Sequence, residues 1–291
     1  MKYVKRYTNF LKSHLAPQME IGIVLDGSDG SVGMVLKDLF RGSKDVRVKI
    51  INHKPRGSFP THGPDPSADG ALDQVSRLVI KRKANFGAVF DSDGDRVIFV
   101  DNLGREIEAY QIFQLIKRGL KPPYILDSRA LINFWNKESG IIESKSGRHF
   151  IAKAMKENDA TLGVEGSGHY FFKEFFFKDS AILTLVHLIN LASSTGSPLS
   201  EEIDSLNSPH RTKEFNYKID REKDPIGKVK EHFRNKQAKI DEIDGISVYT
   251  EDVAFNLRES ATEPLIRLNI VAKNDMVADN LRIEIEAIIN G

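Results

Sequence analysis

Six residues, Asp91-Ser92-Asp93-Gly94-Asp95-Arg96, constrain this chain more tightly than any others. They stand between two apolar runs of strand length, Phe86-Gly87-Ala88-Val89-Phe90 and Val97-Ile98-Phe99-Val100, and so read as the tip of a β-hairpin. Three carboxylates at alternate positions, on a loop kept supple by Gly94, can turn toward one point and offer the hard oxygen ligands that Mg²⁺ prefers. Arg96 then stands beside the metal. The same residues also read as a solvated turn, since Asp and Gly are common turn residues. A calcium loop of the EF-hand type fits poorly: its sixth position wants Gly and its twelfth Glu, where this chain has Arg96 and Asn102, and the flanks are strands rather than helices.

Upstream, residues 3–15 carry Tyr3, Tyr7, Phe10 and Leu11 at helical spacing and stop before Pro17. Ile21 to Leu25 reads as a buried strand running into a glycine-rich turn, Asp26-Gly27-Ser28-Asp29-Gly30-Ser31, and then into a helical pattern over Val32 to Phe40. Strand, turn and helix form the first half of an α/β unit. The turn could cradle a phosphate at the helix N-terminus; lacking P-loop or dinucleotide spacing, it reads more readily as a plain connection. A strand over 46–52 and a long proline-bearing loop over 53–69 follow, then an amphipathic helix over 71–83. Past the hairpin, helices over 109–117, 130–135 and 150–156 alternate with strands over 124–127 and 140–143, which suggests a second α/β domain. An apolar helix spans 181–191 and a loop 193–198, and composition shifts near Asn207-Ser208-Pro209. The remainder, with strands over 211–219, 246–250 and 268–271 and helices over 225–233 and 276–289, lacks regular alternation and reads as α+β.

With 42 basic against 41 acidic residues, no global field recruits nucleic acid or an anionic membrane, so any anion binding must be local. No apolar run approaches the roughly 20 residues of a membrane span, and Met1 to Arg6 lacks the apolar core of a secretory signal. The absence of cysteine excludes disulfides and thiolate metal sites and fits a cytoplasmic protein.

Two further stretches are rich in polar chemistry. Glu165-Gly166-Ser167-Gly168-His169 offers a carboxylate, a hydroxyl and an imidazole within five residues on an open, glycine-rich backbone. The set suits sugar hydroxyls and proton handling; a turn with incidental polar residues is the plainer reading. The phenylalanines that follow, at 171, 172, 175, 176 and 177, read as core. Arg258-Glu259-Ser260-Ala261-Thr262-Glu263-Pro264-Leu265-Ile266-Arg267 brackets a tight loop with two guanidiniums and two hydroxyls, groups that hold a phosphate dianion. A solvated loop with scattered arginines is the alternative.

In this order, the three stretches resemble the α-D-phosphohexomutase family, which includes the phosphomannomutase/phosphoglucomutase enzymes. The family's metal loop, D-G-D-G-D-R, is similar to Asp91–Arg96 with Ser92 for the first glycine. Its sugar loop, G-E-x-S-G-H, is similar to Glu165–His169 with Val164 ahead of it. Its phosphate loop, R-x-S-G-T-E-P-x-x-R, resembles Arg258–Arg267 with Ala261 in a small-residue position. Phe59-Pro60-Thr61-His62-Gly63-Pro64-Asp65-Pro66 looks like the family segment F-P-x-H-x-P-x-P. The resemblance implies two consecutive α/β three-layer domains with mixed sheets, a metal domain over 1–105 and a sugar domain over 106–207, then a smaller α+β phosphate domain over 208–291.

The family's first domain carries a catalytic serine, held as phosphoserine in a T-A-S-H-N-P-type stretch, and these residues contain no such stretch: Ser13-His14 is followed by Leu15. The chain is therefore expected to correspond to family domains two to four, to need the serine domain from elsewhere, and to be inactive alone. The resemblance implies that hexose 6-phosphate and hexose 1-phosphate interconvert through a bisphosphate. Mg²⁺ would sit on Asp91, Asp93 and Asp95, and Arg96 and His169 would assist. Glu165, Ser167 and His169 would bind the sugar, and Arg258, Ser260, Thr262 and Arg267 the phosphate. Lys145, Arg148 and His149 lie where the family has a basic substrate-contacting segment, and Arg129 follows a strand end in the same domain. A non-catalytic phosphosugar-binding or regulatory protein is the alternative that the sequence leaves open.

Overall fold

A computed structural model of the chain describes residues 2–135, 139–206, 208–218, 224–260 and 263–290. The chain divides into two compact units, one built from residues 1–122 and 159–207, the other from 123–158 and 208–291. The first segment runs α1 (Lys2–His14), β1 (Ile21–Asp26), α2 (Val32–Leu39), β2 (Val46–Ile51), α3 (Asp73–Arg82), β3 (Phe86–Phe90), β4 (Val97–Val100), β5 (Glu106–Ile107) and α4 (Ala109–Ile116). The strands lie in the order β2-β1-β3-β4-β5, the first three parallel, β4 and β5 antiparallel. β3 is buried along its whole length, and α3 sets Val75 and Val79 into one cluster with Val24, Val89 and Val100. A strand covered on both faces needs apolar residues at every position, which is why this hairpin stands out in the sequence. Phe90 faces Val97 across it, leaving Asp91–Arg96 as the loop.

The chain then contributes β6 (Tyr124–Asp127), α5 (Ile132–Trp135), β7 (Ile141–Ser144) and α6 (Arg148–Glu157) to the second unit, with β6 and β7 parallel. It returns to the first unit as β8 (Leu162–Val164), β9 (Tyr170–Phe172), β10 (Lys178–Asp179), α7 (Ala181–Thr195) and α8 (Leu199–Asp204). β8, β9 and β10 are successively antiparallel. The phenylalanine run departs from its expected burial. Phe171 and Phe172 lie in the core, but a tight turn at Lys173–Phe175 puts Phe176 in a left-handed conformation and leaves it 78% exposed.

The last stretch completes the second unit with β11 (His210–Arg211), β12 (Phe215–Lys218), α9 (Pro225–Asn235), β13 (Lys239–Asp241), β14 (Ile246–Tyr249), β15 (Val253–Glu259), β16 (Leu265–Ala272) and α10 (Asp275–Asn290). Its sheet is antiparallel, in the order β11-β16-β15-β14-β13, with β12 also on β16. Val229 and Phe233 of α9 and Leu281 and Ile285 of α10 share its core with Phe255, Leu257, Leu268 and Ile270. Leu131 packs on Tyr249, Ala254 and Val271, so residues 123–158 belong to the same body. The strand expected over 211–219 is broken by residues 212–214, and residue 219 lies outside the described residues. Among the described residues no helix is long and apolar enough to cross a membrane.

The glycine turn after β1 is a buttress. Val32 N–H and Ser31 Oγ donate to Ser92 O at 3.3 and 3.2 Å, and Ser28 Oγ donates to Phe90 O. A Cβ on Gly30 would lie 2.1 Å from Ser92 O and 2.4 Å from Ser92 Cα, so the turn fits under the acidic loop only as glycine. Gly30→Ala should therefore lower stability in urea by about 1–3 kcal/mol. Gly57→Ala, where a Cβ meets nothing within 4 Å, should stay within about 0.5 kcal/mol of the parent.

Candidate functional site

Asp91 follows β3, and its carboxylate organises the loop around itself. Oδ1 accepts from the backbone N–H groups of Gly94, Asp95 and Arg96 at 2.9, 3.1 and 3.2 Å, and Oδ2 accepts from Arg96 Nε at 3.2 Å. Arg96 Nη1 extends to Asp65 Oδ1 at 3.2 Å. One carboxylate oxygen from each of Asp91, Asp93 and Asp95 lies within 4.8 Å of the others, with Asp93 exposed at the tip. This all-oxygen set fits a hard divalent cation. Burial and a hydrogen bond with the Asp95 carboxylate push Asp91 up to about 7, so the loop without a cation retains a proton among its carboxylates. A divalent ion would take that proton's place.

The Glu165–His169 turn is joined to this loop through the main chain. Arg96 and His169 form an antiparallel bridge, and Val97 N–H donates to Gly168 O at 3.1 Å. The turn closes on itself through Gly168 N–H to Glu165 O and Glu165 N–H to His169 O, both at 3.0 Å. Gly168 has φ +88°, and a Cβ there would lie 2.8 Å from Val97 O, so only glycine allows the approach. His169 Nδ1 is 2.9 Å from Ser167 Oγ and 3.4 Å from Glu165 Oε2, while Nε2 is 3.5 Å from Asp95 Oδ1. The buried imidazole thus stands between a carboxylate of the turn and one of the acidic loop, an arrangement suited to moving a proton. Glu165 is buried as well.

Nearby, the proline-bearing segment closes over the glycine turn. His62 Nε2 is 3.3 Å from Asp26 Oδ2, an oxygen that accepts from Asn52 Nδ2 at 2.7 Å, and Thr61 Oγ1 donates to Asp29 Oδ2 at 2.8 Å. The Asp26 carboxylate holds the His62 pKa above the ordinary histidine value.

In the second unit, Arg258 and Arg267 are direct partners across the β15–β16 ladder. They stand on either side of the loop as the sequence suggested, but on strands longer than it showed: β15 starts at Val253, its apolar pattern interrupted by buried Asn256, and β16 starts at Leu265. Arg267 Nη1 reaches Glu214 Oε1 at 3.2 Å and Nη2 reaches Glu263 Oε2 at 2.8 Å. Arg258 Nε is 3.8 Å from Asp244 Oδ2. The Nε–H groups of both arginines are buried and make no hydrogen bond. Burial and the nearby Arg129 charge lower the Arg258 pKa. Arg129 itself is gripped by Asp127 at 2.6 Å and lies 3.8 Å from Glu214 Oε2. Two half-buried guanidiniums, each with an unused Nε–H, beside a third are groups suited to an anion. Ser260 is buried and donates its N–H to Leu265 O at 2.8 Å. Lys145 is exposed after β7, and Arg148 and His149 are exposed at the start of α6. Thr262 lies outside the described residues.

Residues 1–104 match the family model for phosphoglucomutase/phosphomannomutase, α/β/α domain II, and residues 127–209 match that for domain III. The chain belongs to the phosphoglucomutase/phosphomannomutase family. It is 34% identical over 275 residues to a phosphomannomutase of Methanocaldococcus jannaschii, covering 91% of this chain and 60% of that protein. It is 30% identical over 271 residues to a phosphomannomutase of Escherichia coli, covering 87% and 59%. Its fold is that of a solved phosphoglucomutase/phosphomannomutase family protein from Burkholderia thailandensis, with TM-score 0.84 at 24% identity over 98% of this chain and 64% of that one. The chain thus spans about three-fifths of the curated relatives it matches.

The proton held near Asp91 sets a pH dependence. Because the folded loop binds it more tightly than the unfolded chain, the stability it contributes falls as pH rises from the ordinary carboxylate range to about 7 and is fully lost above that, and a cation relieves that loss. The rise in melting temperature on adding Mg²⁺ should therefore be larger at pH 8 than at pH 6. Asp93→Asn should remove most of the rise without lowering the melting temperature in the absence of Mg²⁺, since Asp93 is exposed and its charge only opposes that of Asp91.

Proposed function

We propose that this chain provides the metal-, sugar- and phosphate-binding machinery of a phosphohexomutase that interconverts hexose 6-phosphate and hexose 1-phosphate. The observation that carries the reading is the Arg96–His169 bridge, which joins the acidic loop to the Glu165–His169 turn within one unit. Family membership and the half-buried guanidiniums of the second unit, with their unused Nε–H groups, support it.

In this reading Asp91, Asp93 and Asp95 would hold Mg²⁺, which when bound would neutralise charge developing on the phosphoryl group in transfer. Arg96, fixed by Asp91 and Asp65, adds a positive charge beside them. Glu165 and Ser167 hold neighbouring sugar hydroxyls, and His169 passes the proton of the reacting hydroxyl. Arg258, Ser260, Thr262 and Arg267 hold the phosphate that is not being transferred, with Arg129, Lys145 and Arg148 as further substrate contacts. A phosphoserine outside these 291 residues donates its phosphoryl group to the hexose monophosphate. The bisphosphate reorients, and the serine accepts the other phosphate back.

Calorimetric titration tests the binding half of this reading. Glucose 6-phosphate should bind the chain and glucose should not. Arg258→Ala should weaken binding about ten- to a hundredfold, the worth of one hydrogen bond between charged groups. Equal affinity of parent and variant, or glucose binding as tightly as its phosphate, would overturn it.

A further inference from the structure

Glu214 lies in the short link between β11 and β12, and it faces two arginines at once. Oε1 accepts from Arg267 Nη1 at 3.2 Å. Oε2 accepts from Asn269 Nδ2 at 3.1 Å and lies 3.8 Å from Arg129 Nη1. With Glu263 on Nη2, carboxylates hold both terminal nitrogens of Arg267, which fixes the plane of the guanidinium. Its buried Nε–H, which makes no hydrogen bond, is thereby aimed in one direction. The mounting is stiff as well. β11 and β12 both pair with β16, the strand that carries Arg267 and Asn269, so the link cannot slide without breaking ladder hydrogen bonds on either side.

We propose that Glu214 is a positioning residue of the phosphate clamp: it orients Arg267 and ties it to Arg129, so that their donors meet an incoming phosphate already aligned. The proposal rests on the reading of Arg258 and Arg267 as that clamp. Arginine is long and rich in rotamers, and ordering such a side chain at the moment of binding weakens affinity by about three- to tenfold. Glu214 removes that cost beforehand. A carboxylate so close also repels an anion, so repulsion and orientation predict opposite signs for its removal.

A double-mutant cycle separates them. The affinity of the full chain for glucose 6-phosphate, read by ligand-observed NMR so that millimolar binding remains measurable, is compared for the parent, Glu214→Gln, Asn269→Ala, Arg267→Ala and the Glu214→Gln/Arg267→Ala double variant. Glu214→Gln should weaken binding about three- to tenfold, and Asn269→Ala should weaken it less, because it releases only Oε2. Adding Glu214→Gln to Arg267→Ala should weaken binding no further and, with only repulsion left to relieve, leave it equal or slightly tighter, and Mg²⁺ binding should be the same in all five proteins. Unchanged or tighter binding by Glu214→Gln, or an equal loss with Arg267 absent, would overturn the positioning role while leaving the clamp intact. Parent-like affinity of Arg267→Ala would overturn the clamp itself.

Discussion

A strip of main chain two residues long governs the chemistry of the first unit. Where Arg96 faces His169 and Val97 N–H meets Gly168 O, a hairpin loop and a distant turn become neighbours through an isolated β-bridge. The distances between the loop and the turn follow from this pairing. His169 lies between Glu165 and Asp95 because its backbone is held opposite Arg96, and the turn comes near enough because Gly168 has no side chain. Backbone pairing is a better support for such geometry than side-chain contacts, because it fixes direction as well as distance.

The two units carry opposite electrostatic demands. In the first, Asp91, Asp93 and Asp95 crowd together, and Asp91 answers by holding a proton. In the second, Arg258 and Arg267 each stand near a carboxylate yet keep a buried donor unused, and Arg258 is depressed by burial and by Arg129. One arrangement calls for a cation and the other for an anion. A net formal charge of +1 conceals both, because local imbalances of opposite sign cancel in the sum.

Elements that are long and buried on one side or both were legible in the sequence: the β3–β4 hairpin, α3, α7 and α10 follow the periods that burial imposes. Short or polar-interrupted elements were not. β5 and β13 are too brief to show a period, and β15 contains Asn256, whose Nδ2 bonds to Asp244 O and Ser247 Oγ within the sheet. Candidate site residues were visible where several chemical groups crowd into a few positions, as in Asp91–Arg96 and Glu165–His169. Glu214 gave no such signal, since its role depends on strands brought together from three parts of the chain. The Asp26–His62 contact stayed hidden for the same reason, although both residues sit in stretches that drew notice separately.

The first unit is interrupted in sequence: residues 123–158 leave it for the second unit before 159–207 return. On a ribosome this imposes a waiting period. The β3–β4 hairpin emerges complete, but its partner turn is made about 70 residues later, or roughly 4–15 s at ordinary synthesis rates. Until then the start of β4 is an open strand edge beside a ring of carboxylates, and those charges give it the protection from mispairing that charged edge strands have in finished proteins.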